Sequence, residues 1–209
     1  MMKSSRVILG CLVSALLVAI LLAQNASATV VDFEDLSLGA TYNVGDSFTT
    51  SGVVITGQEF FWLPSGSTTG GFAEVENGGL AGGAGNELHT NNINLSFDFG
   101  VILTGLALQY GEFGGNINLE INGNLANVQN FADIPANLGG TSVFTLDTGT
   151  PGQSSGAMFV IGTINSFKIG GQELWIDNVV ASAVPEPATL VLLGTAGIWI
   201  FTRKRRRSV

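Results

Sequence analysis

Residues 93–99, Ile-Asn-Leu-Ser-Phe-Asp-Phe, alternate apolar and polar side chains without a break. Four apolar side chains therefore fall on one face of an extended segment, which is the pattern of a half-buried β-strand. The same period of two recurs at Leu106, Leu108 and Tyr110. We interpret 93–99 as the strand that decides the fold class, and the neighbouring segments indicate further strands.

A tight hairpin is predicted at Asn122-Gly123, because both residue types tolerate the positive φ of a two-residue turn. The turn follows the apolar-rich segment 117–121. Pairing across it keeps one face of the hairpin apolar. The expected pairs are Leu119 with Ala126 and Ile117 with Val128.

Short strands separated by turn residues run through the whole body of the chain, and no helical period competes with them. This pattern predicts an all-β domain over residues 29–183, built as an antiparallel sandwich or barrel. The glycine-dense segment 78–85 is predicted to be a flexible loop. The other strand candidates are Val30–Phe33, Thr41–Val44, Val53–Thr56, Ser142–Leu146, Ala157–Ile161, Ile164–Ile169 and Glu173–Ala181.

Charge is distributed unevenly along the 209 residues, which hold 8 Lys and Arg against 16 Asp and Glu. Residues 29–183 contain 15 of the acids and a single base, Lys168. Nucleic-acid binding by this body is excluded, since phosphate contacts need clustered Lys and Arg. The only cysteine is Cys11, so the body has no disulfide, thiolate metal site or cysteine nucleophile.

Residues 1–28 have the three parts of a secretory signal peptide: a charged start, an apolar centre and a small-residue end. The end is Ala26-Ser27-Ala28, which predicts cleavage by signal peptidase between Ala28 and Thr29. The alternative is an uncleaved membrane anchor, because the 17 apolar residues of 7–23 approach the length of a membrane span. Either reading predicts an N-terminal helix and export of the body.

The C-terminal residues 184–209 combine Pro185-Glu186-Pro187, an apolar stretch over 188–201 and an Arg-rich end at 203–207. These three features in this order resemble the PEP-CTERM sorting signal. The resemblance implies export in a Gram-negative bacterium and processing near Pro-Glu-Pro by an exosortase, a membrane-embedded enzyme similar to cysteine transpeptidases. It also implies association with extracellular polysaccharide and biofilm matrix. A simple tail anchor is the alternative.

The predicted topology follows from the basic end, which is expected to stay in the cytoplasm. The hydrophobic C-terminal helix would then tether the precursor to the inner membrane with residues 29–183 in the periplasm. After processing, we expect the domain at the cell surface or in the extracellular matrix.

The body also resembles jelly-roll domains of the carbohydrate-binding-module type, through its opening Val31-Asp32-Phe33-Glu34-Asp35 and its closing Trp175-Ile176-Asp177-Asn178-Val179. Such domains often hold a structural calcium ion between the first and last strands. The resemblance thus implies calcium ligation by Glu34, Asp35 and Asp177, three carboxylates of the kind that calcium prefers. The competing interpretation is that these acids face solvent.

Two aromatic or catalytic candidates remain. Residues 60–62, Phe-Phe-Trp, cannot all face one core from a regular strand, so Trp62 is predicted to be exposed and is the candidate for sugar stacking. His89 is the sole histidine, and we interpret it as a turn or surface residue, with a catalytic base as the alternative. The sequence therefore favours a non-enzymatic surface or matrix protein over a carbohydrate-binding module, and both over a glycoside-active hydrolase.

Overall fold

The computed structural model describes residues 28–62, 68–150 and 153–184. The sorting segment 185–209 and all of the predicted signal peptide except Ala28 lie outside these ranges, and so do both predicted terminal helices. Within the described part of the chain, no helix is long and apolar enough to cross a membrane. Residues 27–184 make up one compact unit.

The described residues fold into sixteen β-strands and one short 3₁₀ turn at Phe131–Asp133. This confirms the predicted all-β class. The strands are β1 (Ala28–Val31), β2 (Thr41–Asn43), β3 (Ser47–Thr50), β4 (Val53–Phe61), β5 (Thr68–Thr69), β6 (Phe72–Glu76), β7 (Glu87–Asn91), β8 (Ile93–Asp98), β9 (Leu103–Glu112), β10 (Ile117–Ile121), β11 (Asn124–Val128), β12 (Asn137–Leu138), β13 (Thr141–Thr150), β14 (Gln153–Ile164), β15 (Phe167–Gly171) and β16 (Leu174–Ala183).

Two antiparallel sheets form the sandwich. The nine-stranded sheet has the order β12-β13-β14-β9-β16-β7-β6-β2, with β1 also paired to β16. The seven-stranded sheet has the order β11-β10-β15-β8-β4-β3, with β5 paired to β4. Sandwich rather than barrel is therefore the architecture.

The core lies between the inner faces of these sheets, as the alternating pattern predicts. Leu95 of β8 and Leu108 of β9 are examples from the two sheets, and both are buried. Every buried member of the main hydrophobic cluster lies between Val31 and Ala181. Residues 28–184 thus contain a complete core of their own.

The Asn122-Gly123 hairpin is confirmed in detail. Asn122 has φ 52° and Gly123 has φ 77°, and β10 pairs with β11 so that Leu119 faces Ala126 and Ile117 faces Val128. Asn122 contributes further, because its side chain caps the neighbouring turn by accepting from the N–H of Asn165 at 2.7 Å.

Two local predictions were wrong, and several short strands were missed. The segment Ile164–Ile169 is not one strand, because β14 ends at Ile164 and β15 begins at Phe167. His89 does not lie in a turn but in the middle of β7. The strands β3, β5, β6, β7 and β12 were not predicted, since they are short, with five residues at most.

β16 organises the sheet around itself. One of its edges pairs with β9, while the other pairs with β7 through Leu174–Ile176 and with β1 through Val179–Ser182. The first and last strands of the domain are therefore neighbours, as the jelly-roll resemblance implies. A bulge at Asn178, with φ 48°, separates the part of β16 beside β7 from the part beside β1.

Candidate functional site: a clamped glycine-rich loop and an aromatic end

The glycine-rich loop, residues 77–86, lies directly on the outer face of β9 and β16. A β-carbon on Gly111 of β9 would overlap the carbonyl oxygen of Leu80. In the same way, a β-carbon on Gly83 would overlap a carboxylate oxygen of Asp177, and a β-carbon on Gly85 would overlap one of Glu34. These glycines are needed because only a residue without a side chain lets the backbone come this near.

Glu87 anchors this loop at its C-terminal end. Its carboxylate accepts hydrogen bonds from the backbone N–H groups of Gly78 at 3.1 Å, Leu80 at 3.0 Å and Ala81 at 2.8 Å. The residue is only 2% exposed, so these donors replace the water that an ionised carboxylate requires. The loop that the sequence predicted to be flexible is therefore held in place by these three hydrogen bonds.

Asn86 ties the same loop to the segment that follows β1. Its backbone N–H donates to Glu34 Oε1 at 2.8 Å. Its side-chain amide donates to the carbonyl oxygens of Phe33 and Leu36 at 3.2 and 3.0 Å. Phe33 is fully buried and has φ 59°, so the chain reverses direction there and places Glu34 against the loop.

Asp177 lies beneath this loop and is 2% exposed. Burial first, and then the negative charges of Glu87, Glu34 and Asp32, raise its pKa to about 6 in all, against the opposing hydrogen bond from Asn178. That bond joins the N–H of Asn178 to Asp177 Oδ1 at 2.6 Å. Three carboxylates from two other segments thus act on the charge of Asp177.

Asp35 does not belong to this acidic group. Its carboxylate accepts from the Thr50 hydroxyl and from the N–H of Ser51 at 2.9 Å, and the Thr50 bond, followed by the Ser51 bond, lowers its pKa. The structure therefore brings together Glu34 and Asp177 of the three predicted ligands, and adds Asp32 and Glu87.

Metal ligation by these residues stays a prediction. Within residues 28–62, 68–150 and 153–184, no group of three or more His, Cys, Asp or Glu side chains is placed to hold a metal ion. Both oxygens of Asp177 already contact Asn178, through its backbone N–H and its side-chain amide at 2.9 Å. Glu34 and Asp177 have the chemistry that calcium prefers but do not form a closed ligand set.

An aromatic cluster lies on the same outer face, next to the glycine-rich loop. The rings of His89 and Trp175 stack with centroids 4.0 Å apart and planes 3° apart. Glu76 bridges them, because its Oε1 lies 2.9 Å from His89 Nδ1 and its Oε2 accepts from Trp175 Nε1 at 2.8 Å. Phe72 and Phe113 meet this pair edge-on.

His89 is therefore oriented by a carboxylate, which is one part of a catalytic dyad. Its other nitrogen, Nε2, is buried and has no hydrogen-bond partner among the described residues. A general base needs its free nitrogen within reach of the reacting group. Sequence reasoning missed this cluster, since nothing in the local pattern links Glu76, His89 and Trp175.

Trp62 lies at the same end of the sandwich and is half-buried. Its indole N–H donates to Asn92 Oδ1 at 3.2 Å, and its ring meets Phe60 edge-on with centroids 6.4 Å apart. Phe60 is fully buried. Phe60 thus takes the core position, and Trp62 remains partly open to solvent.

Two landmarks lie at opposite ends of β9 and β16. One is the aromatic end, which holds His89, Trp175, Phe113 and Trp62; the other is the chain exit at Val184, where the described part of the domain ends. At the aromatic end, the N–H of Phe113 donates to Glu173 O at 3.0 Å; at the other end, the N–H of Val184 donates to Ile102 O at 3.0 Å. Ten-residue strands separate these two points by about 30 Å. A cavity of about 330 Å³ beside Ile102 and Ile164 marks the exit end.

The comparison with known families concerns the exit. Residues 183–207 match the family described as the PEP-CTERM protein-sorting motif. The chain carries a C-terminal PEP-CTERM signal. This motif begins in the last residue of β16, Ala183, and identifies an exported protein that is targeted to an exosortase. No curated protein and no solved structure matches the chain, so the resemblance of the body to carbohydrate-binding modules stays a prediction.

Proposed function

We propose that this chain is a non-catalytic surface or matrix protein whose β-sandwich binds extracellular polysaccharide. The sorting motif supports delivery to the outside of the cell. The polysaccharide association and the absence of catalysis are our inferences from the body. They rest on how the aromatic end is built and on what the carboxylates already bind.

One observation carries the proposal: the aromatic end lies about 30 Å from the point where the sorting motif begins. In a tethered precursor, and in a product attached through its C-terminus, the side chains Trp62 and Phe113 would face away from the attachment point. Phe113 is 36% exposed. Aromatic rings that are held in place and partly open suit the apolar faces of sugar rings.

The carboxylates favour a structural over a catalytic role. Glu87 binds three backbone N–H groups, Glu76 bridges two stacked rings, and Asp35 caps Thr50 and Ser51. A glycosidase needs two carboxyl groups free to act on opposite sides of one bond. These three acids fasten strands and loops together instead.

For location, we propose an inner-membrane-tethered precursor with its domain in the periplasm of a Gram-negative bacterium. Signal peptidase would remove residues 1–28, and the exosortase would process the chain near Pro185-Glu186-Pro187. Thr29 pairs with Ala181 in the sheet, so cleavage after Ala28 would leave the mature N-terminus held by β16.

Calcium is a secondary proposal. A divalent cation beside Glu34 and Asp177 would offset the negative charges that act on the buried carboxylate of Asp177, and the outside of a cell can supply millimolar calcium to weak sites. Because Asp35 binds Thr50 and Ser51 instead, the proposed ligands are narrowed to Glu34 and Asp177.

A glycan array tests the binding function. Residues 28–184 would be compared with Trp62→Ala and Phe113→Ala variants, and with Val54→Ala as the matched control. Val54 is also exposed but pairs with Asp98 near the exit end. We expect polysaccharide binding that both aromatic substitutions weaken and the control leaves unchanged. An absence of binding across a broad array would refute the glycan proposal, while leaving the sorting assignment intact.

A further inference from the structure

An uncharged apolar surface covers the other half of the outer face of the nine-stranded sheet. On β13, β14, β9 and β16, the core takes Val143, Met158, Val160, Leu108 and Val179. Since side chains alternate between faces, their neighbours point outward. We call the resulting surface the apolar face; its six large members are Phe144, Leu146, Phe159, Ile161, Val180 and Val30.

Four of these six side chains are exposed, while Phe159 and Val180 are half-buried. Leu146 is 62% exposed, Ile161 57%, Phe144 46% and Val30 44%. Scattered apolar residues on a surface need no explanation, but a contiguous patch marks an interaction site. The pairing of Phe144 with Phe159 and of Val30 with Val180 makes this patch contiguous across neighbouring strands.

The shape of the apolar face is a ridge beside a groove. Phe144 and Phe159 form the ridge, with rings stacked at 5.0 Å and 13°. Gly105 and Ala107 of β9 form the floor of a groove of about 190 Å³ between Phe159 and Val180. Because ridge and groove lie side by side, a two-fold rotation would set the ridge of one copy into the groove of the other, as an isologous interface requires.

The charge distribution is also compatible with a second copy of this chain at the apolar face. With 15 acids and one base in residues 29–183, two copies repel each other wherever their acidic surfaces meet. None of the six residues of the apolar face is charged, and neither are Gly105 and Ala107. Two copies can therefore approach closely here without burying a carboxylate.

The size of the face is sufficient for a weak dimer. Five strands spaced ~4.8 Å apart and followed for ~20 Å, with their side chains, cover about 500 Å² on each copy. Two copies then bury about 1,000 Å², which reaches the lower bound of specific interfaces. The ordered Phe144–Phe159 stack reduces the conformational entropy lost on association.

We propose that the exported domain forms a two-fold symmetric dimer through this apolar face. The dimer leaves the aromatic end free, because that end lies beyond the bulge at Asn178 on β16. Association is weak and reversible, and it strengthens as salt screens the repulsion between the acidic bodies. A dimer held by ion pairs would respond to salt in the opposite direction.

Sedimentation equilibrium on residues 28–184 tests this proposal between about 5 and 200 µM, a range that brackets a micromolar dissociation constant. We expect a monomer–dimer equilibrium whose dissociation constant falls as sodium chloride is raised. Leu146→Glu and Ile161→Glu should each raise that constant about a hundredfold or more. Val54→Glu, on the other sheet, is the control and should leave it unchanged.

Ile161→Thr covers the case in which a glutamate variant does not fold, since threonine is itself a good strand former; it should weaken the dimer about tenfold. A wild-type domain that stays monomeric throughout would overturn the proposal. So would larger assemblies without a dimer, or equal effects of Leu146→Glu and Val54→Glu. A monomer that floats with phosphatidylcholine vesicles would instead assign the apolar face to a lipid surface.

Discussion

Gly83 lies so close to Asp177 that a β-carbon at position 83 would overlap Oδ2 of the carboxylate. This contact joins the glycine-rich loop to the last strand, and the carboxylate itself is held by Asn178. Loop and strand therefore behave as one packed unit, although more than ninety residues separate them in sequence. The glycine-rich loop owes its shape to this contact and to the three hydrogen bonds that Glu87 accepts.

The Gly83 contact predicts that even a methyl side chain at position 83 destabilises the protein. Gly83→Ala should lower the free energy of unfolding by about 1–3 kcal/mol. The Asp177 carboxylate would have to move, although it is buried and both of its oxygens accept hydrogen bonds from Asn178. Gly70→Ala is the matched control, since nothing lies within 4 Å of a β-carbon there. Urea denaturation of both variants measures the difference. Equal stability would mean that the loop does not rest on Asp177.

Glu87 is predicted to be the principal anchor of the loop. Glu87→Gln should lower the free energy of unfolding by about 2–4 kcal/mol. The carboxylate accepts from three backbone N–H groups. The amide would place its NH2 group, which is itself a donor, against at least one of these N–H groups. Hydrogen exchange should show faster opening at Gly78, Leu80 and Ala81. Glu74→Gln, on the neighbouring strand β6, is the control; a loss as large in that variant would contradict the role assigned to Glu87.

The alternation of 93–99 and the Asn-Gly turn were enough to predict the sheets because both are local patterns. The conformation of the glycine-rich loop was not predictable in the same way. Three backbone donors converge on Glu87 only after the loop has closed, and only the folded chain shows that Asp35 accepts from Thr50 and Ser51 while Glu34 accepts from Asn86. His89 was misjudged because its polar neighbours resemble a turn, whereas Thr90 is buried in β7 and its hydroxyl donates to Leu174 O.

The raised pKa of Asp177 predicts a pH dependence of stability. Its value of about 6 lies above the ordinary 3.8, so ionisation opposes folding. Below about pH 3.8 Asp177 is protonated in both the folded and the unfolded chain, and the folded state has its full stability. As the pH rises from there through about 6, ionisation of Asp177 lowers the free energy of unfolding by roughly 2–3 kcal/mol in all. Compared with the wild type, Asp177→Asn should therefore gain stability between pH 5 and pH 7.5.

Urea denaturation across this range compares Asp177→Asn with Glu173→Gln, which also removes one negative charge but from an exposed position. The stability difference between Glu173→Gln and the wild type should stay nearly constant with pH. If both variants changed with pH in the same way, general charge repulsion rather than Asp177 would account for the effect.

Calcium is predicted to act through Glu34 and Asp177 and not through Asp35. At about ten times its dissociation constant, a bound ion would add ~1.4 kcal/mol of stability. Thermal melting at millimolar calcium should show a raised midpoint that Glu34→Gln abolishes and Asp35→Asn preserves. Magnesium is the control for general screening. An unchanged midpoint, or an equal rise with both ions, would contradict a calcium site.

The central claim is that a self-contained acidic β-sandwich is exported and then processed through the motif at residues 183–207. Intact-mass measurement of the mature protein, from otherwise identical cells with and without the exosortase, tests it most directly. We predict a chain that begins at Thr29 in both, and that loses the Arg-rich end only where the exosortase is present. The same mass in both cells, with residues 203–207 retained, would contradict the account.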